Sequence, residues 1–566
     1  MHGLSGTRWE ALLSEDGAAA ARGSALDAAP RARSQLLPRL LDAQERDGFV
    51  SEASLAAIAR DLHVPESEAF GVATSYSELR MTPRTAPHVS ICTGLSCLLN
   101  GARALADALP SALPSGWQVE EEPCRFRCDA APIAMVGQRY VSRATADGVA
   151  AAVAGADDGG PDERPTAEER PGETRRLLGR CGRIDPDEID GALALGAYDG
   201  WQRARSLAPT AIVAIVEASG LRGRGGAYFP AATKWRGVHA HPAPRYLVVN
   251  AEEGEPGVFK DRYLIEGDPH LVVEGILIAA RAVEAARVYV YVNGEARLAA
   301  ERLRVAIARA DARGLLTGAP PIEVRRGAGG YVCGEESVIL SSIEGERAVP
   351  RLRPPFPVDA GLFGRPTVIN NVETLCNLPQ IVIGGGEAFR ATGTAEHPGT
   401  KLVCLSGAFA RPGVYEVPFG TPLRRIVGEI GGGAAPGRTL RALLCGGPSG
   451  SLLPPSCWDA PLVPNGLDDA GASPGAGGIV AIDEMMSIRE VVRHLAAYNA
   501  AESCGKCTPC REGTVRMVAL LDERPGDARA RMDDLTEAMG AASLCGLGQM
   551  APLPYLSARR HFGNEL

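Results

Sequence analysis

The chain has 566 residues, of which 45% are hydrophobic and 22% are charged, and it carries a net charge of -9 with a pI near 5.7. One hydrophobic core does not serve a chain of this length, so about three to five domains are expected. The acidic balance argues against a nucleic-acid-binding protein, because such proteins usually show a basic surplus or stripe.

The N-terminal residues lack the basic start and the continuous apolar stretch of a secretory signal. The longest apolar region begins at Leu271 and is interrupted by Glu and Arg well before the roughly 18 residues that a membrane span requires. We therefore expect a cytoplasmic protein with no direct membrane insertion, so that any membrane association would come through a partner.

The elements predicted along the chain indicate a multidomain α/β protein without tandem repeats. Helical spacing predicts a helical bundle in residues 1–85, and short strands around a helix predict a compact α/β unit in residues 86–155. Residues 156–178, rich in Gly, Pro, Glu and Arg, are predicted to be a linker. The remaining predicted units are an α/β domain at 179–400, a small β-grasp-like domain at 401–482 and a helical bundle at 483–566.

The fourteen cysteines are clustered, which in a reducing cytosol points to metal rather than to disulfides. The first set consists of two separated pairs with C-x4-C and C-x3-C spacing, namely Cys92, Cys97, Cys124 and Cys128. Two thiolates for each iron suit a [2Fe-2S] cluster. A zinc ribbon and unrelated buried cysteines are the alternatives for this set.

The second set lies in "ESCGKCTPCREGT", which places three thiols at Cys504, Cys507 and Cys510. A [4Fe-4S] cluster needs a fourth thiolate, and Cys545, which a glycine follows directly, is the candidate. Structural zinc usually takes two C-x2-C pairs, so the spacing favours iron and sulfur. Six further cysteines are expected to be ordinary buried residues: Cys181, Cys333, Cys376, Cys404, Cys445 and Cys457.

Three polar loops indicate a nucleotide-shaped ligand. "GLRGRGGAYFPAATKW", residues 220–235, offers glycine amides and cationic side chains of the kind that bind phosphate, although an ordinary tight turn has the same appearance. "NAEEGEPGVFKDR" at 250–262 and "GAGGYVCGEES" at 327–337 add carboxylates. Acidic groups beside phosphate-binding loops are electrostatically unfavourable unless they bind ribose or ribityl hydroxyls.

These motifs, with "RPPFP", "RPTVINNVETL" and the three-cysteine stretch, resemble the NADH-binding flavoprotein subunit of respiratory complex I and its relatives. Residues 1–150, including "ATSYSELR", resemble the separate thioredoxin-like [2Fe-2S] subunit of the same module. The chain thus looks like a fusion of both subunits. The resemblance implies a helical N-terminal segment, a thioredoxin-like [2Fe-2S] domain, a Rossmann-like FMN and NAD domain, a β-grasp-like domain and a C-terminal helical bundle with the [4Fe-4S] cluster.

The resemblance also assigns ligand-binding residues. For FMN it implies Gly223, Arg224, Gly225, Lys234, Asn250, Glu252, Glu253, Tyr331, Gly334, Glu335, Glu336, Ile369, Asn370, Asn371 and Thr374. For NAD(H) it implies Phe229, Glu255, Glu336, Arg353 and Phe356. No catalytic side chain is implied, because hydride transfer takes place at FMN.

Five residues, at four places in the motifs, depart from the family pattern. Tyr228 replaces the usual Gly, Ala231 and Ala232 replace Thr-Gly, Glu252 replaces Asp, and Arg353 replaces Lys. These departures bear on the fit of the dinucleotide rather than on the presence of flavin.

The combination predicts an electron-transfer subunit that takes electron pairs from NADH through FMN and passes single electrons to the clusters, or the reverse. The preferred assignment is the beta subunit of a soluble NAD-dependent formate dehydrogenase, partnered by a large molybdopterin- or tungstopterin-dependent alpha subunit. The alternatives are the diaphorase subunit of an NAD-reducing hydrogenase and a fused peripheral-arm subunit of NADH:quinone oxidoreductase. A non-catalytic iron–sulfur scaffold or redox-responsive binding protein is the alternative from another class. An acidic pair near the expected ribose position favours NAD over NADP.

Overall fold

A computed structural model describes residues 32–155, 170–464, 466, 473–523 and 528–566. The predictions for residues 1–31, and for residues 156–169 of the linker, lie outside these ranges. Within the described ranges, no helix combines the length and the apolarity that crossing a bilayer would take. The fold is a multidomain α/β structure with mixed and parallel sheets.

The described part of the N-terminal segment contains the helices α1 (Leu36–Asp47), α2 (Glu52–Asp61) and α3 (Glu66–Ala73). Gly48 ends α1 in the left-handed conformation, and the Ser51 hydroxyl caps α2 by accepting from the amide of Ser54. The apolar faces of these helices do not close on themselves. They share one buried cluster with Val332, Val338 and Leu547, so the segment packs on distant parts of the chain.

The next unit has a four-stranded mixed sheet in the order β2-β1-β3-β4, in which β1 and β2 are parallel and the other pairs are antiparallel. Its strands are β1 (His88–Cys92), β2 (Gln118–Glu122), β3 (Ala134–Val136) and β4 (Arg139–Val141). Its helices are α4 (Leu95–Leu99), α5 (Ala102–Ala112) and α6 (Ala146–Val153).

The central sheet is fully parallel in the order β7-β6-β5-β8. Its strands are β5 (Arg245–Ala251), β6 (Ala285–Val292), β7 (Ile322–Arg326) and β8 (Thr367–Asn371). Strands β5 and β6 are continuous apolar runs, as expected for parallel strands that are covered on both faces. The chain runs from β5 to β6 to β7 in one direction and places β8 on the opposite side of β5.

Helices cover both faces of this sheet. They are α7 (Ile189–Ala194), α8 (Asp199–Arg205), α9 (Pro209–Ser219), α10 (Ala231–His239), α11 (Lys260–Gly267), α12 (Pro269–Ala282), α13 (Arg297–Ala312), α14 (Glu336–Ile343), α15 (Pro357–Ala360), α16 (Val372–Cys376) and α17 (Leu378–Arg390). Helix α12 is buried almost throughout, and its one acidic residue, Glu274, accepts the amides of Tyr198 at 2.9 Å and Trp201 at 3.0 Å.

A five-stranded mixed sheet follows in the order β10-β9-β13-β11-β12. Its strands are β9 (Thr400–Gly407), β10 (Gly413–Pro418), β11 (Leu440–Cys445), β12 (Ser451–Leu453) and β13 (Gly478–Asp483), with a short helix α18 (Leu423–Arg425). Residues 170–178, the described end of the predicted linker, are not free chain. The amides of Leu177 and Leu178 donate to Glu416 of β10 at 2.8 and 3.2 Å, and both leucines are buried.

The C-terminal region is helical. Its helices are α19 (Ile488–Ala501), α20 (Thr508–Asp522), α21 (Arg529–Ala542), α22 (Gly546–Met550) and α23 (Leu553–Phe562). Helix α19 begins with a capping box in which Ser487 and Glu490 accept each other's backbone amides. The apolar faces of this bundle pack against the five-stranded sheet through Leu444, Leu452 and Ile482.

Candidate functional site

The predicted flavin residues converge on the crevice where strands β5 and β8 end. Asn250 and Asn371 lie opposite each other at the carboxyl ends of these adjacent parallel strands. The chain order reverses here, and open α/β sheets bind their ligands at such a switch point. The glycine-rich loop lies against the same edge, since a Cβ on Gly225 would come within 3.2 Å of the Asn371 Cβ.

Groups that can bind a phosphate lie at one side of this crevice. The amides of Gly225 and Gly226 donate no hydrogen bond to another described residue. Lys234 extends from the first turns of α10, where its Nζ lies 3.2 Å from both the Glu336 carboxylate and the Ile369 carbonyl. Glycine amides beside a partly exposed ammonium form a suitable anion site, so these residues fit the phosphate of FMN.

The Arg224 side chain faces away from this anion site. It is fully buried, and its guanidinium donates to the carbonyls of Thr400, Pro398 and Arg222 at 2.7–3.0 Å. It also lies over the Phe419 ring at 4.7 Å, and burial lowers its pKa to about 10. The Arg224 backbone amide donates to the Thr374 hydroxyl at 2.8 Å, so a contact of Arg224 with flavin stays a prediction.

Asn250 lies near the carboxyl end of β5, and Glu252 lies on the turn that follows. The Asn250 amide group donates to the Gly334 carbonyl at 3.0 Å and ties this turn to the 327–334 loop. Glu252 Oε1 accepts from Asn293 at 2.5 Å, whereas Oε2 is buried without a hydrogen-bond partner among the described residues. Burial raises the pKa of Glu252 to about 8, and the nearby Glu78 carboxylate adds to the increase.

Two other predicted flavin ligands act as helix caps. Glu253 accepts the amides of Asp261 and Arg262 at 2.9 Å each, at the start of α11. Glu335 accepts the amides of Ser337 and Val338 at the start of α14. Both oxygens of Glu253 therefore already have backbone partners, and its contact with flavin stays a prediction.

The remaining flavin candidates are held by hydrogen bonds within the fold. The Asn370 carbonyl oxygen accepts from the Trp235 indole at 2.8 Å, and Asn371 caps α16 through the amide of Glu373 at 3.0 Å. The Tyr331 amide donates to Glu502 at 2.7 Å. These bonds fix the crevice walls before any ligand enters.

The predicted dinucleotide residues form a more open surface. Phe229 and Phe356 are 51% and 50% exposed, which is unusual for phenylalanine and suits rings that stack on a ligand. Arg353 is ion-paired with Glu335 and lies 3.4 Å from Glu336. Glu255 lies under the 446–450 turn, and burial raises its pKa to about 7 against the opposing charges of Lys260 and Lys401.

The Tyr228 side chain packs into the protein and does not fill the crevice. Its backbone is left-handed, with a φ of 52°, which explains why glycine suits this position. The ring is buried with Phe419 and Val463, and its hydroxyl donates to the Gly475 carbonyl at 2.8 Å. Ala231 and Ala232, the second departure from the family pattern, are buried in the first turn of α10.

The first cysteine set is assembled in one buried place. Cys92 ends β1, Cys97 lies in α4, and Cys124 and Cys128 come from the turn that follows β2. The Cys92 thiol contacts those of Cys124 and Cys97, which lowers its pKa, and Cys124 contacts Cys128 in turn. All four are at most 5% exposed, so the donor set fits a [2Fe-2S] cluster.

The second set surrounds a small cavity with an empty volume of about 260 Å³. Cys504, Cys507, Cys510 and Cys545 line it together with apolar residues such as Val332 and Leu547. Cys507 and Cys545 precede the first turns of α20 and α22. Four thiols in an apolar shell fit a [4Fe-4S] cluster.

Of the six cysteines expected to be structural, five are buried and Cys457 is partly buried.

A buried charge network beneath the crevice was not predicted. Lys260, Lys401 and Glu373 are all 0% exposed. The Glu373 carboxylate accepts from Lys401 at 2.5 Å and lies 3.1 Å from Lys260. The network could not be found from the sequence, because its pairing joins residues that are far apart in the chain.

Comparison with protein families gives three matches. Residues 216–380 match the Nuo51 FMN-binding domain, residues 23–157 match the thioredoxin-like [2Fe-2S] ferredoxin, and residues 490–566 match the NADH-ubiquinone oxidoreductase-F iron-sulfur binding region. These matches contain the crevice and both cysteine sets, and they show FMN, NADH, one [2Fe-2S] and one [4Fe-4S] cluster as the cofactors.

Similar proteins include the NADP-reducing hydrogenase subunit HndC of Solidesulfovibrio fructosivorans, 41% identical over 68% of this chain and 81% of the relative. An NADH-quinone oxidoreductase subunit of Rhizobium meliloti is 42% identical over 63% of this chain and 88% of the relative. Among solved structures, a chain of an NAD+-reducing [NiFe]-hydrogenase in the H2-reduced state aligns with a TM-score of 0.81 and 33% identity, covering 94% of this chain and 93% of that chain.

Proposed function

Since this chain belongs to the Nuo51 family of NADH-quinone oxidoreductase and hydrogenase subunits, we propose that it connects NAD(H) to a separate catalytic subunit by electron transfer. The 327–334 loop carries this proposal. Gly334 accepts a hydrogen bond from Asn250 in the crevice, while Val332 lines the cavity of Cys504, Cys507 and Cys510. One short loop therefore separates the flavin crevice from the [4Fe-4S] cavity.

Different residues of the crevice bind different parts of the cofactor. The Gly225 and Gly226 amides and Lys234 bind the phosphate, and Glu252, on the turn tied by Asn250, accepts hydrogen bonds from hydroxyl groups of the ribityl chain. Bound FMN exchanges electrons in pairs with a nicotinamide and singly with an iron–sulfur cluster. The protein needs no acid or base for this exchange and supplies the placement of the two rings.

The thiols of both sets bind the clusters as thiolates. Helices α20 and α22 begin directly after Cys507 and Cys545, so their amino-terminal dipoles favour the negative charge of a cluster and its sulfurs. The apolar lining from Val332, Leu544 and Leu547 keeps water away from the [4Fe-4S] position.

Replacing Phe229 or Phe356 with alanine is expected to raise the KM for NADH by roughly 2- to 10-fold. The reason is the loss of about 0.5–1.5 kcal/mol of stacking that substrate and transition state share, so kcat should change little. Steady-state oxidation of NADH with a dye acceptor measures both constants.

Phe70 provides the matched control, because it is also 51% exposed but lies on α3. Phe70→Ala should leave the KM unchanged. Equal KM values for all three variants would remove Phe229 and Phe356 from the dinucleotide site.

The charges around the dinucleotide residues favour NAD over NADP. Arg353, the cation among the predicted dinucleotide residues, is paired with Glu335 and approaches Glu336, so its charge already faces carboxylates. A 2′-phosphate would meet little unpaired positive charge among these residues. We therefore assign NAD(H) as the dinucleotide.

Two catalytic partners fit this function. The "RLRPPFP" variant with Arg353 supports a cytoplasmic formate dehydrogenase whose alpha subunit carries molybdopterin or tungstopterin. The similarity to a chain of an NAD+-reducing [NiFe]-hydrogenase, which spans 94% of this chain, supports a hydrogenase. The NADH-quinone oxidoreductase relative from Rhizobium meliloti matches a smaller part of the chain, 63%.

Isolation of the tagged chain with its native partners tests both assignments. NAD+ reduction by the isolated complex with formate, but not with H2, would establish the formate dehydrogenase, and the reverse result would establish the hydrogenase. NADH oxidation with a dye acceptor tests the function itself. A fully loaded protein that oxidises no NADH would be the non-catalytic scaffold instead.

A further inference from the structure

The motif "ATSYSELR", residues 73–80, joins the N-terminal helices to the flavin crevice. The Glu78 amide donates to the Ala328 carbonyl at 2.9 Å, and the Tyr76 hydroxyl donates to the Ser342 hydroxyl at 2.7 Å. From the other side, Gln44 of α1 donates to the Glu78 carbonyl at 2.6 Å. The motif is thus fixed between α1 and the loop that follows β7.

The motif packs against two glycines in the loops that follow strands of the central sheet, where a larger residue would clash with it. A Cβ on Gly329 would lie 2.5 Å from the Ser77 hydroxyl and 3.1 Å from Glu78 Oε1. A Cβ on Gly294, just after β6, would lie 2.6 Å from Glu78 Oε2. The Glu78 carboxyl therefore occupies space at the carboxyl ends of β6 and β7.

Glu252 approaches the same place from β5. A Cβ on Gly327 would lie 3.0 Å from Glu252 Oε2, and Gly327 stands two residues before Gly329. Glu252 Oε2 and Glu78 Oε1 are both buried, and neither has a hydrogen-bond partner among the described residues. Two carboxyl groups buried so close together do not both ionise easily.

We propose that Glu78 is a positioning residue of the flavin site, and that its negative charge disfavours ionisation of the buried Glu252, which makes FMN affinity depend on pH. This inference rests on the proposed placement of FMN beside Glu252. A protonated Glu252 accepts hydrogen bonds from ribityl hydroxyls less well than the carboxylate does. Glu78 acts on the flavin through Glu252 and through its hold on the 327–330 loop.

The surrounding charges do not neutralise the pair. Burial is the largest cause that raises the pKa of Glu78 to about 8, and burial likewise raises the pKa of Glu252 to about 8. The titratable or charged groups that face the two carboxyls are Tyr76, Arg125, Tyr291, Glu295, Arg297, Arg326, Cys333 and Glu502. Glu295 and Glu502 add negative charge, while Arg125, Arg297 and Arg326 oppose it.

The test measures the dissociation constant of FMN by fluorescence from pH 6 to pH 9 on the full-length protein. Wild type should show a transition near pH 8, with tighter binding above it. In Glu78→Gln one of the charges that raise the Glu252 pKa is gone while its largest cause, burial, remains, so the transition should move to lower pH. Glu66→Gln, an exposed substitution on α3, is the control and should overlay wild type.

Two further variants separate the possible failures. Glu252→Gln should abolish the transition, and if it does not, the placement of FMN beside Glu252 is wrong. A Glu78→Gln profile that overlays wild type, while Glu252→Gln abolishes the transition, would overturn the role of Glu78 alone. If Glu78→Gln retains no flavin, Glu78→Asp should restore flavin with the transition, and equal loss in both variants would leave Glu78 a purely structural residue.

Discussion

Replacing Cys545 with serine is expected to remove the [4Fe-4S] cluster and to lower NADH-driven electron transfer to the catalytic partner by about 100-fold or more. Serine supplies no thiolate, and a cubane cluster needs four sulfur ligands. The helix should survive, because Cys545 precedes α22 with extended backbone and serine is a favoured residue at that position. Iron and acid-labile sulfide content, electron paramagnetic resonance of the reduced protein and NADH-dependent partner reduction measure the outcome.

The flavin provides an internal control for this variant. The crevice of β5 and β8 proposed for FMN contains none of the four cysteines, so bleaching of the flavin absorbance by NADH should persist in Cys545→Ser. Cys457→Ser is the matched substitution, because Cys457 is a partly buried cysteine outside both sets and should keep full iron content. A Cys545→Ser protein with unchanged iron, sulfide and resonance signals would show that another residue completes the cluster.

The cluster-binding cysteines could be predicted from the sequence because their spacing along the chain is typical of iron–sulfur ligands. Cys504, Cys507 and Cys510 fall within one short stretch, and only the distant Cys545 required an inference across the fold. The structure places all four around one cavity. Strands β5 and β6 were also predicted from the sequence, since each is a mostly apolar segment followed by a polar loop.

The roles of charged residues in the loops were less predictable. Arg224 and Lys234 stand in the same glycine-rich motif, yet Lys234 reaches the crevice while Arg224 turns into the protein and binds carbonyls. A sequence shows which side chains can bind an anion but not the side to which a loop directs them. Glu253 and Glu335 show the same limit of sequence-based prediction. A carboxylate can cap a helix or bind a ligand hydroxyl, and the sequence does not distinguish the two roles.

The association of the N-terminal segment was also beyond the sequence. Helical spacing predicted the apolar faces of α1 and α2 correctly, but an apolar face does not identify its partner. The structure packs these faces against Val332, Val338 and Leu547, which belong to the flavin and cluster regions. The consequence is functional, because this packing brings Glu78 to the ends of β6 and β7.

Replacing Glu373 with glutamine is expected to destabilise the protein by about 3–5 kcal/mol, since it removes one partner of a buried charge network. Glu373 opposes both Lys260 and Lys401, and all three side chains are excluded from water. Glutamine keeps the shape and one carbonyl oxygen but leaves two buried ammonium groups near each other, and among the described residues Asp261 is the remaining carboxylate in ion-pair range of Lys260. Urea denaturation followed by circular dichroism measures the change.

The pH dependence of this change identifies its cause. Burial alone would raise the pKa of Glu373, but Lys401 and Lys260 together hold it below its ordinary value. A carboxyl whose pKa is depressed in the folded state stabilises the protein above its unfolded pKa of about 4.3, and this stabilisation is lost as the pH falls through the folded value. The difference between wild type and Glu373→Gln should therefore stay constant from neutral pH to about pH 5 and shrink in stronger acid.

A surface ion pair provides the comparison for this effect. Arg493 and Asp522 are 2.5 Å apart but about half exposed, so Asp522→Asn should cost less than about 1 kcal/mol. If Glu373→Gln cost no more than Asp522→Asn, the buried network would add nothing to stability. Because Lys401 begins β9 and Lys260 begins α11, a large cost would instead show that these charges join the five-stranded sheet to the flavin domain. Asn371 also lies 3.4 Å from Lys260, so flavin affinity should weaken in the same variant.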